Sequence, residues 1–400
     1  MDLLLPPAPL NRAGYEAQGG YLALAKARAD PAAARRVLLA TGLCGRGGAG
    51  FPFARKLALA LEGAERPRVV VCNAAEDEPG SLKDRLLLER NPHAVIEGAL
   101  IAAAALGDAT VILYVNPAAL GYARQAAAQS GRPGLAVTAA PPGYVAGEAS
   151  AAVSALNGGP AKPLVQPPYP TQAGVDGHPT LVANCETFAN LPRIINGTAP
   201  VTRLATVSGD VAVGGVFEVD PATETFRTLI ARAGGMAGGT PLKAIQPGGP
   251  ATAFLTADAL DVTLGDDSVA AVGSSAGCLA VRVYSTDRCM VEVTDEITRF
   301  FSEQQCGQCP PCRMKTQAYH RIIHQITTGH GRWDMLGQLS AVEEFVSGMP
   351  RRCSLIDMPT PPVASARDHF PADFAGHIDH QACPAGNSPT FPPLETGTAS

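Results

Sequence analysis

The sequence contains no run of Lys or Arg able to follow a nucleic-acid backbone: 31 basic residues are outnumbered by 36 acidic ones, for a net charge of -5. Nucleic acid is therefore not an expected partner. A long apolar stretch is also missing. The longest, residues 99–106, is rich in Ala and falls well short of the ~20 residues that cross a bilayer, so no direct membrane insertion is expected. Residues 1–11 lack a basic segment leading into an apolar one, and the leucines at positions 3 to 5 stop at Pro6, so no export signal is read there. These absences predict a cytoplasmic protein. There is no internal repeat, no Walker-type phosphate loop and no Ser-His-Asp set. Trp333 is the only tryptophan, and neither it nor the seven methionines form a pattern beyond filling core or surface.

An apolar fraction of 46% in 400 residues is enough for a sizeable core and for two or three domains. Ten cysteines without an export signal point to reduced thiols and to metal or redox chemistry rather than a disulfide framework. Asp30-Pro31 is an N-cap and first-turn pair, and the apolar-periodic stretch behind it ends at Gly42, so a helix leads into the glycine-rich loop that follows. Residues 68–72, 110–115 and 135–138 read as strands, and 92–106 and 117–129 as helices. Strands alternating with helices predict an α/β layer with a mostly parallel sheet. From about Val201, short strands around Gly209, Gly214 and Gly215, one helix near residues 225–233 and a return through Gly248-Gly249 suggest a small α+β module. Residues 287–377 read as helical with cysteines embedded. The chain beyond Pro384, rich in Pro, Thr, Ser and Gly, reads as a disordered tail.

Cys306-Gly307-Gln308-Cys309-Pro310-Pro311-Cys312 places three thiols within seven residues. The proline pair restricts the backbone and Gly307 permits a tight turn, so three thiolates converge on one point. A [4Fe-4S] cubane takes one thiolate at each of four irons, which a tight triplet plus one remote cysteine supplies. Structural zinc more often uses two separated Cys-x-x-Cys or Cys/His pairs, so the triplet predicts an iron–sulfur cluster. For the fourth ligand the spacing leaves two candidates: Cys353, 41 residues after Cys312, and Cys383, just before Pro384. Cys44, Cys72, Cys185, Cys278 and Cys289 stand singly in apolar or Gly-rich surroundings and read as small buried side chains. His320 and His324 have the i,i+4 spacing of two zinc ligands, but no Glu lies between them, and a solvated helical face is the simpler reading.

Gly45-Arg46-Gly47-Gly48-Ala49-Gly50 satisfies the G-x-G-x-x-G pattern but follows a helix, whereas a dinucleotide fingerprint follows a strand. It is not an ordinary Rossmann turn. Its backbone N–H groups beside the Arg46 guanidinium nonetheless suit a phosphate. After the strand ending at Cys72 comes a polar turn, Asn73-Ala74-Ala75-Glu76-Asp77-Glu78-Pro79-Gly80, at the C-terminal edge of a sheet, where α/β proteins place ligands. Asn73 there can hydrogen-bond a flavin ring edge. Gly147-Glu148 and Asn184-Cys185-Glu186-Thr187 also follow short apolar runs and are expected to converge on the same crevice.

With these segments in order, the sequence resembles the NADH-binding 51 kDa flavoprotein subunit of respiratory complex I and its relatives in NAD-linked hydrogenases and formate dehydrogenases, over residues 15–377. The resemblance rests on Gly-Arg-Gly-Gly-Ala-Gly-Phe-Pro from Gly45, Cys72-Asn73, Glu76-Asp77-Glu78-Pro79-Gly80 and Lys83-Asp84-Arg85. It continues through Gly147-Glu148, Pro167-Pro168-Tyr169-Pro170, Asn184-Cys185-Glu186-Thr187 and the Cys306 triplet. It implies an α/β fold: an FMN-binding Rossmann-like sheet domain with N-terminal helices (1–197), a ubiquitin-like β-grasp, soluble-ligand-binding module (198–286), a C-terminal helical bundle with an iron–sulfur cluster (287–383) and a tail (384–400). The FMN-binding residues carry over as Gly45, Arg46, Gly47, Lys56, Asn73, Glu76, Gly147, Glu148, Asn184 and Thr187, with Phe51 beside them and Glu78 as the catalytic position. The family's fourth cluster ligand lies at the distance of Cys353 beyond its triplet, which implies a [4Fe-4S] cluster on Cys306, Cys309, Cys312 and Cys353. The implied activity is that of an NADH dehydrogenase-like oxidoreductase. NAD(H) or NADP(H) gives a hydride to FMN, and electrons leave singly through the cluster to a partner iron–sulfur subunit or a ferredoxin.

Departures from the family gather around the donor. Ala75 stands where the family has Asp beside the flavin, Ala183 replaces the first Asn of an Asn-Asn pair, and Ala149 replaces the second Glu of Gly-Glu-Glu. Gln166 replaces the Lys before Pro-Pro-Phe-Pro, Tyr169 its Phe, and Leu59 an adenine-stacking aromatic. Losing one stacking aromatic and one cation weakens nucleotide binding by on the order of 1–3 kcal/mol. These departures support an alternative: an electron-transfer or scaffold iron–sulfur protein of the same fold, with a degenerate nicotinamide site, fed by a partner such as ferredoxin.

Overall fold

The computed structural model describes residues 4–62, 67–132, 134–198 and 202–385. The chain divides into two compact units, the first running to Thr206 and including Val216–Pro221, the second comprising Val207–Gly215 and the chain from Ala222 onward. The expected tail beyond Pro384 lies, from residue 386, outside the described residues.

The first unit opens with α1 (Arg12–Ala17), α2 (Leu22–Ala29), α3 (Pro31–Leu39) and α4 (Phe53–Leu61). Asn11 and Asp30 cap α1 and α3 by accepting from the Gly14 and Ala33 amides at 2.9 and 2.8 Å, the second as the Asp30-Pro31 pair predicts. Four parallel strands follow, β1 (Val69–Ala74), β2 (Thr110–Val115), β3 (Ala136–Ala139) and β4 (Thr180–Asn184). Their connections carry α5 (Lys83–Arg90), α6 (Pro92–Ala105), α7 (Leu120–Ser130) and α8 (Ala149–Leu156), and α9 (Cys185–Ala189) and α10 (Leu191–Asn196) come after β4. The Val69-Val70-Val71 run is buried along β1, as a central parallel strand requires.

Helix α6 is buried along its whole length, and its small residues let neighbours close in. A Cβ on Gly98 would lie 1.8 Å from the Phe188 carbonyl oxygen of α9. Glu97, the one charge in this helix, is 1% exposed and accepts from the Tyr15 hydroxyl and from the Tyr21 and Leu24 amides, both at 2.9 Å. A buried carboxylate needs such donors, and they tie the N-terminal helices to α6.

The sheet order is β3-β2-β1-β4. The chain winds outward from β1 to β3 and then returns to place β4 on the other side of β1. The winding reverses between β1 and β4, and the crevice outside their C-terminal ends is where such sheets bind ligands.

Strands β5 (Arg203–Gly209) and β6 (Gly215–Val219), helix α11 (Phe226–Arg232), and strands β7 (Leu242–Gln246) and β8 (Ala280–Ser285) follow, with the sheet order β6-β5-β8-β7 and β7 antiparallel to β8. Helix α12 (Asp266–Ala271) lies in the β7 to β8 connection. The ββαββ order is that of a β-grasp module, and Thr225 with Thr228 forms the capping box that starts α11. The helical region comprises α13 (Met290–Gln304), α14 (Pro310–Thr327), α15 (Trp333–Val346), α16 (Thr360–His369) and α17 (Pro371–Asp379). Met290, Val293, Thr294, Ile297 and Phe301 form the buried stripe of α13 at helical spacing. His320 and His324 on α14 both meet Asp295 of α13, at 3.3 and 3.0 Å, so this pair is an interhelix contact. Among the described residues no helix is long and apolar enough to cross a membrane.

Candidate functional site

Asn73 and Asn184 are register partners at the C-terminal ends of β1 and β4, beside the point where the winding reverses. The Asn184 amide donates to the Asn73 carbonyl at 3.3 Å and to the Asp84 carboxylate, while its Oδ1 accepts from the Glu186 amide at 3.0 Å and so caps α9. Lys83, 2% exposed, lies between Asp84 and Glu186, with Glu186 at 3.1 Å and Asn184 Oδ1 at 3.2 Å. Burial pulls the Lys83 pKa down, but Asp84 and Glu186 outweigh it and leave it well above the usual lysine value. Asn73 Nδ2 donates to the Gly147 carbonyl at 2.8 Å, which fastens the third turn to the end of β1. Gly147 fits closely there: a Cβ would sit 3.0 Å from the Ala75 carbonyl oxygen.

The glycine loop is closed at its base, where the Gly45 amide donates to the Phe51 carbonyl and the Phe53 amide to the Leu43 carbonyl, both at 2.9 Å. Gly48 and Gly50 have φ of +101° and +61°, conformations that a side chain would strain. The Arg46 amide donates to Thr187 Oγ1 at 3.0 Å, and a Cβ on Gly47 would lie 3.4 Å from that of Asn184. The loop is therefore pinned against the β4 to α9 turn. Lys56 of α4 donates to the Val182 carbonyl at 2.9 Å, and its ammonium, like the Arg55 guanidinium, lies 5.6 Å from the centre of the Phe51 ring. Burial lowers the Lys56 pKa.

The acids of the second and third turns differ in what they touch. Glu76 accepts from the Asp84 and Arg85 amides at 3.1 Å and from the Ser81 hydroxyl, so it caps α5. Burial, and after it Asp84, pushes its pKa up to about 7. Glu148 caps α8 by accepting from the Ser150 and Ala151 amides at 2.9 and 3.0 Å. Glu78 accepts from the Tyr144 hydroxyl at 3.0 Å through Oε2, while its Oε1 is buried with no hydrogen-bond partner among the described residues. Burial pushes the Glu78 pKa up to about 7. One idle oxygen on a carboxyl poised near neutrality is the chemically available group of this turn. The idle oxygen, the side-chain-free surfaces of Gly47 and Gly147, and the cations Arg46 and Lys56 fit a bound flavin nucleotide.

In the second unit, Cys306 and Cys309 occupy the turn between α13 and α14, with Gly307 at φ +82° and Pro310-Pro311 opening α14. Burial pushes the Cys312 thiol up to about 12, with Cys353, Cys309 and Cys306 adding to it in that order. Arg352 donates to Gln308 Oε1 at 2.9 Å, and Gln308 Nε2 to Cys306 Sγ at 3.6 Å, which ties the segment bearing Cys353 to the triplet. Cys383 lies elsewhere, beside Cys289 and His377. Three closely spaced thiols, with the segment of a fourth tied to them, fit the donor set of a [4Fe-4S] cluster.

Lys83, Tyr144 and His377 are not singled out as site residues by the sequence. Lys83 sits in a recognisable Lys-Asp-Arg triplet, but the partners of Tyr144 and His377 are 66 and 88 residues away, and no local pattern marks them.

A glycine loop at the reversal point of a parallel sheet, a ββαββ module and a helical region with the cysteine triplet and Cys353 together define a flavin and iron–sulfur electron-transfer protein. Residues 38–193 match the family model for the Nuo51 FMN-binding domain, and residues 292–377 that for the NADH-ubiquinone oxidoreductase-F iron-sulfur binding region. The chain is 33% identical to an NADH-quinone oxidoreductase subunit of Rhizobium meliloti, a match covering 92% of this chain and 95% of that protein. It is 32% identical to the NADP-reducing hydrogenase subunit HndC of Solidesulfovibrio fructosivorans, covering 93% and 81%. The crystal structure of an NAD+-reducing [NiFe]-hydrogenase in the H2-reduced state superposes with a TM-score of 0.80 at 30% identity, over 90% of this chain and 65% of the hydrogenase chain. The chain belongs to the family of 51 kDa, FMN- and iron–sulfur-containing NADH dehydrogenase subunits. Its cofactors are FMN and a [4Fe-4S] cluster.

Proposed function

We propose that this chain is the electron-entry subunit of a larger cytoplasmic assembly, oxidising NADH or NADPH and passing electrons to a partner iron–sulfur protein or a ferredoxin. The observation that carries the reading is the pairing of Asn73 with Asn184 at the reversal point, with the glycine loop held across it by the Arg46 to Thr187 hydrogen bond. Residues 1–197 form the flavin domain, 198–286 the β-grasp module and 287–383 the cluster domain. Gly45, Arg46, Gly47, Asn73, Gly147, Asn184 and Thr187 hold FMN, with Lys56 and Phe51 beside the loop and Glu76 and Glu148 stabilising the turns as helix caps. Bound FMN supplies two-electron acceptance from a nicotinamide and one-electron release. Tyr144 orients Glu78, whose Oε1 holds a proton below about pH 7 and is free to accept one above it. Cys306, Cys309, Cys312 and Cys353 carry the cluster.

A second reading draws on Ala149, the first residue of α8, which brings no acid to the crevice, while the Glu148 carboxylate is engaged in capping. In that reading the same fold takes electrons from a protein donor. Anaerobic mixing of FMN-loaded protein with NADH and, separately, NADPH decides between them. Bleaching of the flavin band by either nucleotide at a rate fit for turnover is the expected result. Bleaching by reduced ferredoxin alone would overturn nucleotide oxidation.

A further inference from the structure

The second unit holds another set of metal-competent side chains that neither the flavin site nor the cluster uses. Cys289, His377 and Cys383 present two sulfurs and an imidazole nitrogen that all lie within 4.8 Å of one another. Cys289 immediately precedes α13, His377 lies in the last turn of α17, and Cys383 follows that helix by a short turn. The three therefore come from the two ends of the helical region.

The imidazole is set for coordination. Its Nδ1 lies 3.1 Å from the Thr327 carbonyl oxygen, which can only accept, so Nδ1 carries the proton. Nε2 is then the unprotonated nitrogen, and it faces the Cys289 sulfur at 3.2 Å. A backbone carbonyl that fixes the remote nitrogen while the other faces soft donors is the outer-shell arrangement of metal-binding histidines. His377 is 2% exposed and Cys289 1%, so these donors are shielded from water.

Two separate devices bring the donors together. Asp373 accepts from the Met290 amide and from the Lys243 ammonium, both at 2.7 Å, which fastens the start of α17 beside Cys289. After α17 the chain folds back: Gln381 has φ +52°, and the Ala382 amide donates to the Gly376 carbonyl at 3.2 Å. A Cβ on Gly376 would lie 2.6 Å from Pro384 Cγ, so the absence of a side chain there is what lets the return bring Cys383 onto the helix.

Two thiolates and a neutral imidazole are a zinc donor set. Zn–S bonds of about 2.3 Å and Zn–N bonds of about 2.0 Å imply roughly 3.5 to 3.8 Å between donors at tetrahedral angles, a spacing these side chains reach with small rotations. The Glu292 carboxylate lies within hydrogen-bonding reach of the Cys383 thiol and offers an oxygen for the fourth position. We propose that Cys289, His377 and Cys383, with Glu292 as fourth ligand, bind a single structural zinc ion separate from the iron–sulfur cluster, clamping the start of α13 to the chain that leaves α17.

Metal analysis of anaerobically purified wild-type protein should find about one zinc per chain beside the cluster iron. His377→Gln and Cys383→Ser should each lose that zinc while keeping iron and acid-labile sulfide. Because a variant can fail to fold, wild-type protein stripped with a chelator and reloaded with Co2+ gives a second readout. Thiolate-to-cobalt absorption in excess of that shown by equally treated His377→Gln protein supports the site. Wild-type protein with iron but no zinc, cobalt absorption equal in the two proteins, or a Cys289–Cys383 disulfide in anaerobically prepared protein would each overturn it.

Discussion

Glu78 ends in one oxygen held by Tyr144 and another that is buried with no hydrogen-bond partner among the described residues, and burial sets its pH behaviour. Its folded pKa of about 7 is raised from the ordinary 4.5. Between those values the folded chain keeps a proton that the unfolded chain has released, so stability falls as pH rises through the window. The cost above pH 7 is on the order of 3 kcal/mol. Glu78→Gln should therefore raise the Tm of FMN-free protein relative to wild type at about pH 8 and leave it nearly unchanged at about pH 5. A Tm difference independent of pH would reject this account. Lys315 offers a second case: it is 0% exposed on α14, paired with Glu343, and its charge acts on the Cys312 thiol. A buried cation near a cluster favours the added electron. Lys315→Met should lower the cluster midpoint by tens of millivolts, on the order of 1 kcal/mol for one electron, in an EPR-monitored titration. An unchanged or raised midpoint would contradict it. Residue types such as Asn73 and Gly147 are legible in the sequence because each follows an apolar run directly. The Tyr15 to Glu97 hydrogen bond is not, because its ends are 82 residues apart and a single sequence carries no register between them.

Among the elements, β2 is read at both ends because residues 110–115 are β-branched or apolar throughout. β1 runs past the expected end at Cys72 into Asn73 and Ala74, poor strand formers that the ladder to Tyr114 and Val115 nonetheless holds. The expected helix at 117–129 divides into a 3-10 turn, capped by Asn116, and α7. α1 and α2 leave no clear signal, and the pairing of β4 beside β1, which creates the reversal point, is a long-range choice that local patterning does not encode. The contact of α6 with α9 is testable. A methyl group at Gly98 would strike the Phe188 backbone at 1.8 Å, and α9 carries Thr187 and is capped by Asn184. Gly98→Ala should cost on the order of 1–3 kcal/mol and weaken FMN binding about tenfold for each 1.4 kcal/mol that reaches those residues. Gly121 of α7, where a Cβ meets nothing within 4 Å, is the control. Equal loss of FMN affinity in Gly98→Ala and Gly121→Ala, measured by fluorescence titration, would sink the argument.

For the molecule as a whole, the residues of the flavin crevice lie in the first compact unit and the cysteine triplet and Cys353 in the second. The order of the modules is legible, since the glycine loop, the acidic turn and the cysteine triplet mark the two ends of the chain. The second sulfur site is not, because Cys289 reads as a lone buried thiol until the fold sets it beside His377 and Cys383. Changes at two sites that share no partners act additively, within about 0.5 kcal/mol, and a cluster-ligand variant read out at the flavin tests whether the two redox sites behave so. Cys353→Ser should abolish the [4Fe-4S] EPR signal yet leave FMN affinity within about twofold of wild type. Bleaching of the flavin band by the nucleotide donor should persist in the variant, while onward reduction of a partner iron–sulfur protein stops. Loss of FMN together with the cluster would show that the flavin site depends on the helical region, and would reject additivity of the two sites.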